Sequence, residues 1–177
     1  MRIPTLICAV ILTIASFATS SANAEAVKIE GVHLCCGACI KGANKALEGV
    51  EGVSGVNVEK DDRQVTFEAA NAKAARRGVR ALAKAGFYGS ANFNGKTIAL
   101  KNPVEAGTKA DSATVSGVHL CCPGCFKAAE AALKEVDGVS EVTSNKDKKT
   151  IAVSGEGIPL SGLVDALREI GFNARVK

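Results

Sequence analysis

Gly31-Val32-His33-Leu34-Cys35-Cys36 returns 86 residues later as Gly117-Val118-His119-Leu120-Cys121-Cys122, and Cys39 falls on Cys125 in the same register. Over residues 31–67 the shift needs no gap and gives 18 identities in 37 positions, so the chain carries two copies of one unit of about 70 residues. Between them, residues 102–112 (Asn-Pro-Val-Glu-Ala-Gly-Thr-Lys-Ala-Asp-Ser) have no apolar period and read as a linker. The units are therefore placed at residues 25–101 and 113–177, and each must bury its own core.

Working outward from the cysteines, the periodicity changes in a fixed order in both copies. Val27 and Ile29 alternate with Lys28 and Glu30, a half-exposed strand. Ile40, Ala43, Leu47 and Val50 recur at helical spacing, as do Phe126, Ala129, Leu133 and Val136. Pro123 suits the first turn of a helix, which places the helix start inside the cysteine cluster. Val53, Val56 and Val58 precede Val65 and Phe67 across the turn Lys60-Asp61-Asp62-Arg63, a hairpin signal matched at Lys146-Asp147-Lys148-Lys149. A second helix follows, weakly patterned over 72–85 and amphipathic at Leu160, Leu163, Val164, Leu167 and Ile170. Gly86-Phe87 and Gly171-Phe172 stop these helices. A last strand is expected over 172–176, and Asn94-Gly95 with 97–100 reads as an added hairpin arm in the first copy. Strand, helix, strand, strand, helix, strand is the split βαβ order, so the expected fold class is α+β: two tandem ferredoxin-like βαββαβ domains, each a four-stranded antiparallel sheet with two helices on one face.

Composition agrees with small cores. Of 177 residues, 47% are hydrophobic and 23% charged, which excludes a disordered chain, while 4% aromatic content and no Trp leave little material for one large core. A net charge of +4 is too weak to point to nucleic acid. Residues 1–24 read as a secretory signal peptide, with Arg2, an apolar run over 6–17 and Ala22-Asn23-Ala24 as the cleavage site. The run is shorter than the roughly 20 residues of a spanning helix, so no integral membrane segment is expected after cleavage. Export, to the periplasm or outside the cell, follows. Cys8 leaves with the signal, so six of the seven cysteines stay in the mature chain.

Those six fall where the copies agree most. Cys36 to Cys39 and Cys122 to Cys125 are Cys-x-x-Cys pairs at a loop-to-helix junction, where the helix dipole and unpaired N–H groups favour thiolates. Thiolates are soft ligands that select Cu(I), Zn(II) and heavier ions over Mg or Ca. Three other readings stand beside open metal binding. A stapling disulfide in so short a loop would remove only about 2 kcal/mol of unfolded-state entropy. A thiol-disulfide exchange site uses the same motif. A closed structural zinc site with His33, Cys35, Cys36 and Cys39 would pin one loop and scarcely organise a fold.

Ile29-Glu30-Gly31 leading to Cys36-x-x-Cys39, in a repeated unit of this order and length, resembles the heavy-metal-associated domain of copper chaperones, metal-pumping ATPases and the mercuric transport periplasmic protein. The resemblance spans nearly all of residues 26–101 and 113–177. It implies a ferredoxin-like fold holding about one soft ion per domain between two surface thiolates, Cys36 with Cys39 and Cys122 with Cys125, and passing it to a partner by ligand exchange. The loop departs from the family pattern. It is two residues longer, Leu34 and Leu120 stand where the anchoring Met would sit, and each copy gains a thiol and an imidazole. Cys35 and Cys121 are candidates for a third thiolate, which needs a local turn because adjacent side chains in extended backbone point apart. His33 and His119, the only histidines, are further candidate ligands or backbone caps. Phe87 and Phe172 resemble the aromatic that shelters the family's metal loop, and would look the same as core residues.

The expected function is a non-enzymatic, exported carrier or scavenger of Cu(I), Zn(II), Cd(II) or Hg(II), delivering to a membrane metal transporter or metal-pumping ATPase. The alternatives are a periplasmic thiol-disulfide oxidoreductase and an interaction module in which metal is shared between copies or chains. Lys73, Arg76, Arg77, Arg80 and Lys84 crowd the second helix of the first copy, either as a solvated face or as a docking face for an acidic partner.

Overall fold

The computed structural model describes residues 24–177. The signal-peptide reading, with Arg2, the apolar run and Cys8, falls outside them. In the first copy β1 (Glu25–Glu30), α1 (Gly37–Leu47), β2 (Val53–Glu59), β3 (Gln64–Ala69), α2 (Ala72–Lys84) and β4 (Ser90–Phe93) follow the expected order, and β5 (Lys96–Thr97) is the added hairpin arm. The second copy has β6 (Lys109–Ser116), α3 (Pro123–Lys134), β7 (Val139–Asn145), β8 (Thr150–Pro159), α4 (Leu160–Glu169) and β9 (Arg175–Val176). The sheets are antiparallel, in the orders β2-β3-β1-β4-β5 and β7-β8-β6-β9. This is the α+β, tandem ferredoxin-like arrangement. Strand β6 starts at Lys109, so the last residues of the stretch 102–112 are already sheet, and β9 is shorter than the span 172–176. Among the described residues no helix is long and apolar enough to cross a membrane.

Local causes are visible. Val27 and Ile29 of β1 are buried between β3 and β4, while Lys28 and Glu30 stay exposed. In α1 the buried stripe is Cys39, Ala43 and Leu47, one residue every four, and in α3 it is Cys125, Phe126, Ala129 and Leu133. Each leucine so buried is worth roughly 1.5–3 kcal/mol of hydrophobic transfer. Asn71 caps α2 by accepting from the N–H groups of Lys73 and Ala74, both at 3.0 Å. The α2 stripe is small, with Ala74, Ala75 and Gly78 beside Val79 and Leu82, because the Phe67 ring lies against Gly78. The hairpin turns close with Arg63 and Lys149 at φ of 52° and 50°, the same position in each repeat.

The two copies meet loop to loop through nearly symmetric contacts. The N–H of His33 and of Tyr88 donate to the Gly171 carbonyl at 3.2 and 3.0 Å, and the N–H of Asn173 donates to the Gly86 carbonyl at 3.0 Å. Phe87 and Phe172 pair as an antiparallel bridge between the copies. A Cβ on Gly86 would strike the backbone of Gly117, Val118 and His119, and one on Gly171 would strike Gly31, Val32 and His33. These two glycines, at φ of 91° and 92°, end their helices and also admit the opposing copy.

Candidate metal centre

The cysteine loops are anchored from below. Leu34 and Leu120 are buried, so leucine fills the anchoring position in each loop. Cys36 and Cys122 then sit at the N-caps of α1 and α3 in extended backbone, with φ, ψ of −153°, 171° and −149°, 165°. Cys39 and Cys125 lie in the first turns with their side chains fully buried. Because the copies face each other, the six thiols gather in one cluster. Within a copy, Cys36 lies 3.8 Å from Cys39 and Cys122 lies 3.5 Å from Cys125. Between copies, Cys35 lies 3.5 Å from Cys122 and 3.4 Å from Cys125, and Cys121 lies 3.7 Å from Cys36 and 3.5 Å from Cys39. All six are free thiols.

Helix ends and burial divide the thiols into two kinds. The backbone N–H groups of Cys39 and Ala38, at the open end of α1, pull the Cys36 thiol down to about 6. Those of Cys125 and Gly124 pull Cys122 down likewise. Burial and the surrounding thiols push Cys35 and Cys121 up, and burial pushes Cys125 up. Cys35 is exposed as a residue, but its sulphur touches three others. The metal-free cluster therefore holds few charges and gains the rest when a cation enters.

Each histidine reaches across to the other copy. The His33 ring stacks on Phe172 with centroids 4.0 Å apart, and His119 stacks on Phe87 at 4.2 Å. Burial, with Arg63 close to His33 and Lys149 close to His119, lowers both imidazoles below the usual range, so each keeps a free lone pair near neutrality. Their Nε2 atoms are buried without a hydrogen-bond partner. A ring nitrogen of His33 lies within 4.8 Å of the Cys35 and Cys125 sulphurs. Phe87 and Phe172 are thus core residues that also shelter the histidine of the opposite loop.

The donor set has one chemical character. Among the described residues, the groups able to surround an ion are built from cysteine with one histidine and no carboxylate, which fits soft ions and not Mg or Ca. Sulphurs 2.3 Å from a tetrahedral ion stand about 3.8 Å apart, close to the spacings here. Arg63 had been legible only as a turn residue. Its guanidinium donates to the carbonyls of Gly31 and Val32 below the first loop and of Ile170 in the second copy. Tyr88, under Arg168 at 4.6 Å, likewise carried no sequence signal for its place at the junction.

Comparison with known proteins gives a family match on the second copy. Residues 112–173 match the model of the heavy-metal-associated domain. The first copy repeats its motif and its element order. Among solved structures, the N-terminal soluble domains of Bacillus subtilis CopA in solution are similar at 19% identity, covering 86% of this chain and 93% of that one with a TM-score of 0.31. No curated protein sequence matches the chain.

Proposed function

We propose that this chain is an exported carrier or scavenger of soft metal ions, which it holds on the thiolates of its two Cys-Cys-x-x-Cys loops and releases by ligand exchange. The observation that carries the reading is the gathering of six free thiols, and no carboxylate, at the open ends of α1 and α3. Cu(I), Zn(II), Cd(II) and Hg(II) all suit such donors, with thiolate-rich, low-coordinate surroundings favouring Cu(I) and Hg(II). Exchange proceeds when a partner thiol enters the metal before a local one leaves, each entering thiol giving its proton to water. Neither step needs a catalytic group, which fits a non-enzymatic role. Export rests on the composition of residues 1–24, and the mass of the secreted chain tests it.

Equilibrium dialysis of the reduced protein against each ion is the direct test. About two ions per chain are expected, one for each cysteine pair. Failure to hold any of the four sinks the proposal. The receiving partner would be a membrane metal transporter. The exposed cations Lys73, Arg76, Arg80 and Lys84 on one side of α2 offer it a face, whereas Arg77 is taken by Glu51 at 3.1 Å.

One observation favours a second reading. A low-pKa Cys36 beside a buried Cys39 is also how a thiol-disulfide exchange site is built. Metal-independent reduction of insulin would support that enzyme, and its absence together with metal retention supports the carrier.

A further inference from the structure

The sulphur contacts do not divide by copy. Cys35 touches only Cys39 of its own pair, at 3.7 Å, but both members of the other pair, Cys122 and Cys125. Cys121 does the same in mirror sense, touching Cys125 at 3.6 Å in its own copy and both Cys36 and Cys39 across the junction. Two closed triangles result. Cys36, Cys39 and Cys121 have edges of 3.8, 3.7 and 3.5 Å, and Cys122, Cys125 and Cys35 have edges of 3.5, 3.5 and 3.4 Å.

We propose that these triangles are the two metal sites: each Cys-x-x-Cys pair is completed by the leading cysteine of the other copy, so that two three-coordinate soft ions clamp the domains together. The inference rests on the soft-metal reading and deepens it. Its cause lies in the backbone. Extended geometry at Cys36 and Cys122 sends neighbouring side chains to opposite sides. Cys36 stays over its own helix and Cys35 crosses the junction; the home triple Cys121, Cys122 and Cys125 also lies within 4.8 Å, but only the two shared triangles close with every edge at 3.8 Å or less. The rest of the junction holds this exchange in place. Gly86 and Gly171 allow backbone contact, the carbonyls of both accept N–H groups from the other copy, and each imidazole lies on the other copy's phenylalanine. An ion bound equally to three sulphurs at about 2.3 Å needs them about 4 Å apart, a few tenths of an ångström wider than here. Sites confined to one copy would add no metal bond between the domains. Sites shared in this way make metal capture a closing of the junction and delivery its opening.

Serine at Cys36, Cys39 and Cys121 together leaves Cys35, Cys122 and Cys125, which are one complete triangle drawn from both copies. Loaded with Cd(II) and treated with iodoacetamide, this variant should hold one ion and protect all three thiols. Cys35 alkylating as fast as in the metal-free variant, while Cys122 and Cys125 stay protected, would overturn the proposal. Loss of Cd(II) by the unsubstituted chain would instead remove the metal reading itself. A second measurement needs no substitution. Dibromobimane bridges thiols that are in contact, and mapping of the bridged peptides should join Cys35 to Cys122 or Cys125 and Cys121 to Cys36 or Cys39. Bridges found only within a copy contradict the shared triangles.

Discussion

Cys36 and Cys35 are neighbours in the chain and opposites in chemistry. The first faces the N–H groups at the start of α1 and ionises at about 6, while burial and three neighbouring sulphurs keep the second protonated. Because only the thiolate attacks an alkylating agent, the rate at Cys36 in the metal-free, reduced chain should rise as pH climbs through about 6 and be level by pH 8. Cys35 and Cys121 should stay slow over that range. Peptide-resolved iodoacetamide labelling between pH 5 and 9 checks this, and a Cys36 rate that climbs only above pH 8 would contradict it. The six ligand candidates were legible from repetition alone, since both copies carry them in one register. Which cysteine serves which ion was half legible. The rule that adjacent extended side chains diverge made a local turn the condition for Cys35 or Cys121 as third thiolate, and nothing in the sequence said what lay on the far side of either.

At the scale of elements, the periodic stripes of α1, α3 and α4 and the two hairpin turns could be read directly, because each is decided within about a dozen residues. Helix α2 was faint for a physical reason. Its buried face is made of Ala74, Ala75 and Gly78, and the bulk that fills the space comes from Phe67 on β3. Phe67→Ala should therefore cost about 3–5 kcal/mol in urea unfolding, with loss of the α2 contacts; a cost below about 1 kcal/mol would mean that α2 holds itself. The helix-ending glycines have a second duty that depends on the other copy and so left no local trace. Gly171→Ala places a methyl group against the backbone of Gly31 and His33 at a φ of 92°. About 1–3 kcal/mol of stability should be lost, and the junction should loosen. Tyr88 is the only tyrosine in a chain without tryptophan, and its N–H donates to the Gly171 carbonyl, so its fluorescence reports the junction without a label. Acrylamide quenching should increase in Gly171→Ala. It should not change in Gly95→Ala, where φ is also positive, at 70°, but no atom lies within 4 Å of the new methyl group. Equal quenching in both variants would show that the clash does not reach the junction.

For the whole molecule, duplication does more than double the capacity. Each copy buries its own core, with Val27, Val65 and Phe67 in the first and Val115, Ile151 and Leu163 in the second, so the sheets have separate reasons to be stable. The junction between them adds backbone hydrogen bonds, side-chain hydrogen bonds from Arg63, Arg168 and Asn173, two ring stacks and the sulphur cluster. A metal-free chain should accordingly open its two sheets at different free energies, and native-state hydrogen exchange of the β1–β3 and β6–β8 amides in mild denaturant reads them separately. Binding restricted to the folded state adds RT ln(1 + [L]/Kd), about 2.7 kcal/mol for each site at a free ion concentration one hundred times Kd. If each ion is held by sulphurs from both copies, unfolding either copy forfeits both ions, so Cd(II) should raise both opening energies by the same increment, near twice that value, and draw the two sheets toward one cooperative unit. Ions held within single copies would raise each sheet by its own site alone, near the single value, and leave the two openings apart. A chelator in excess should restore the metal-free pattern, which separates stabilisation by bound Cd(II) from any lasting change in the thiols.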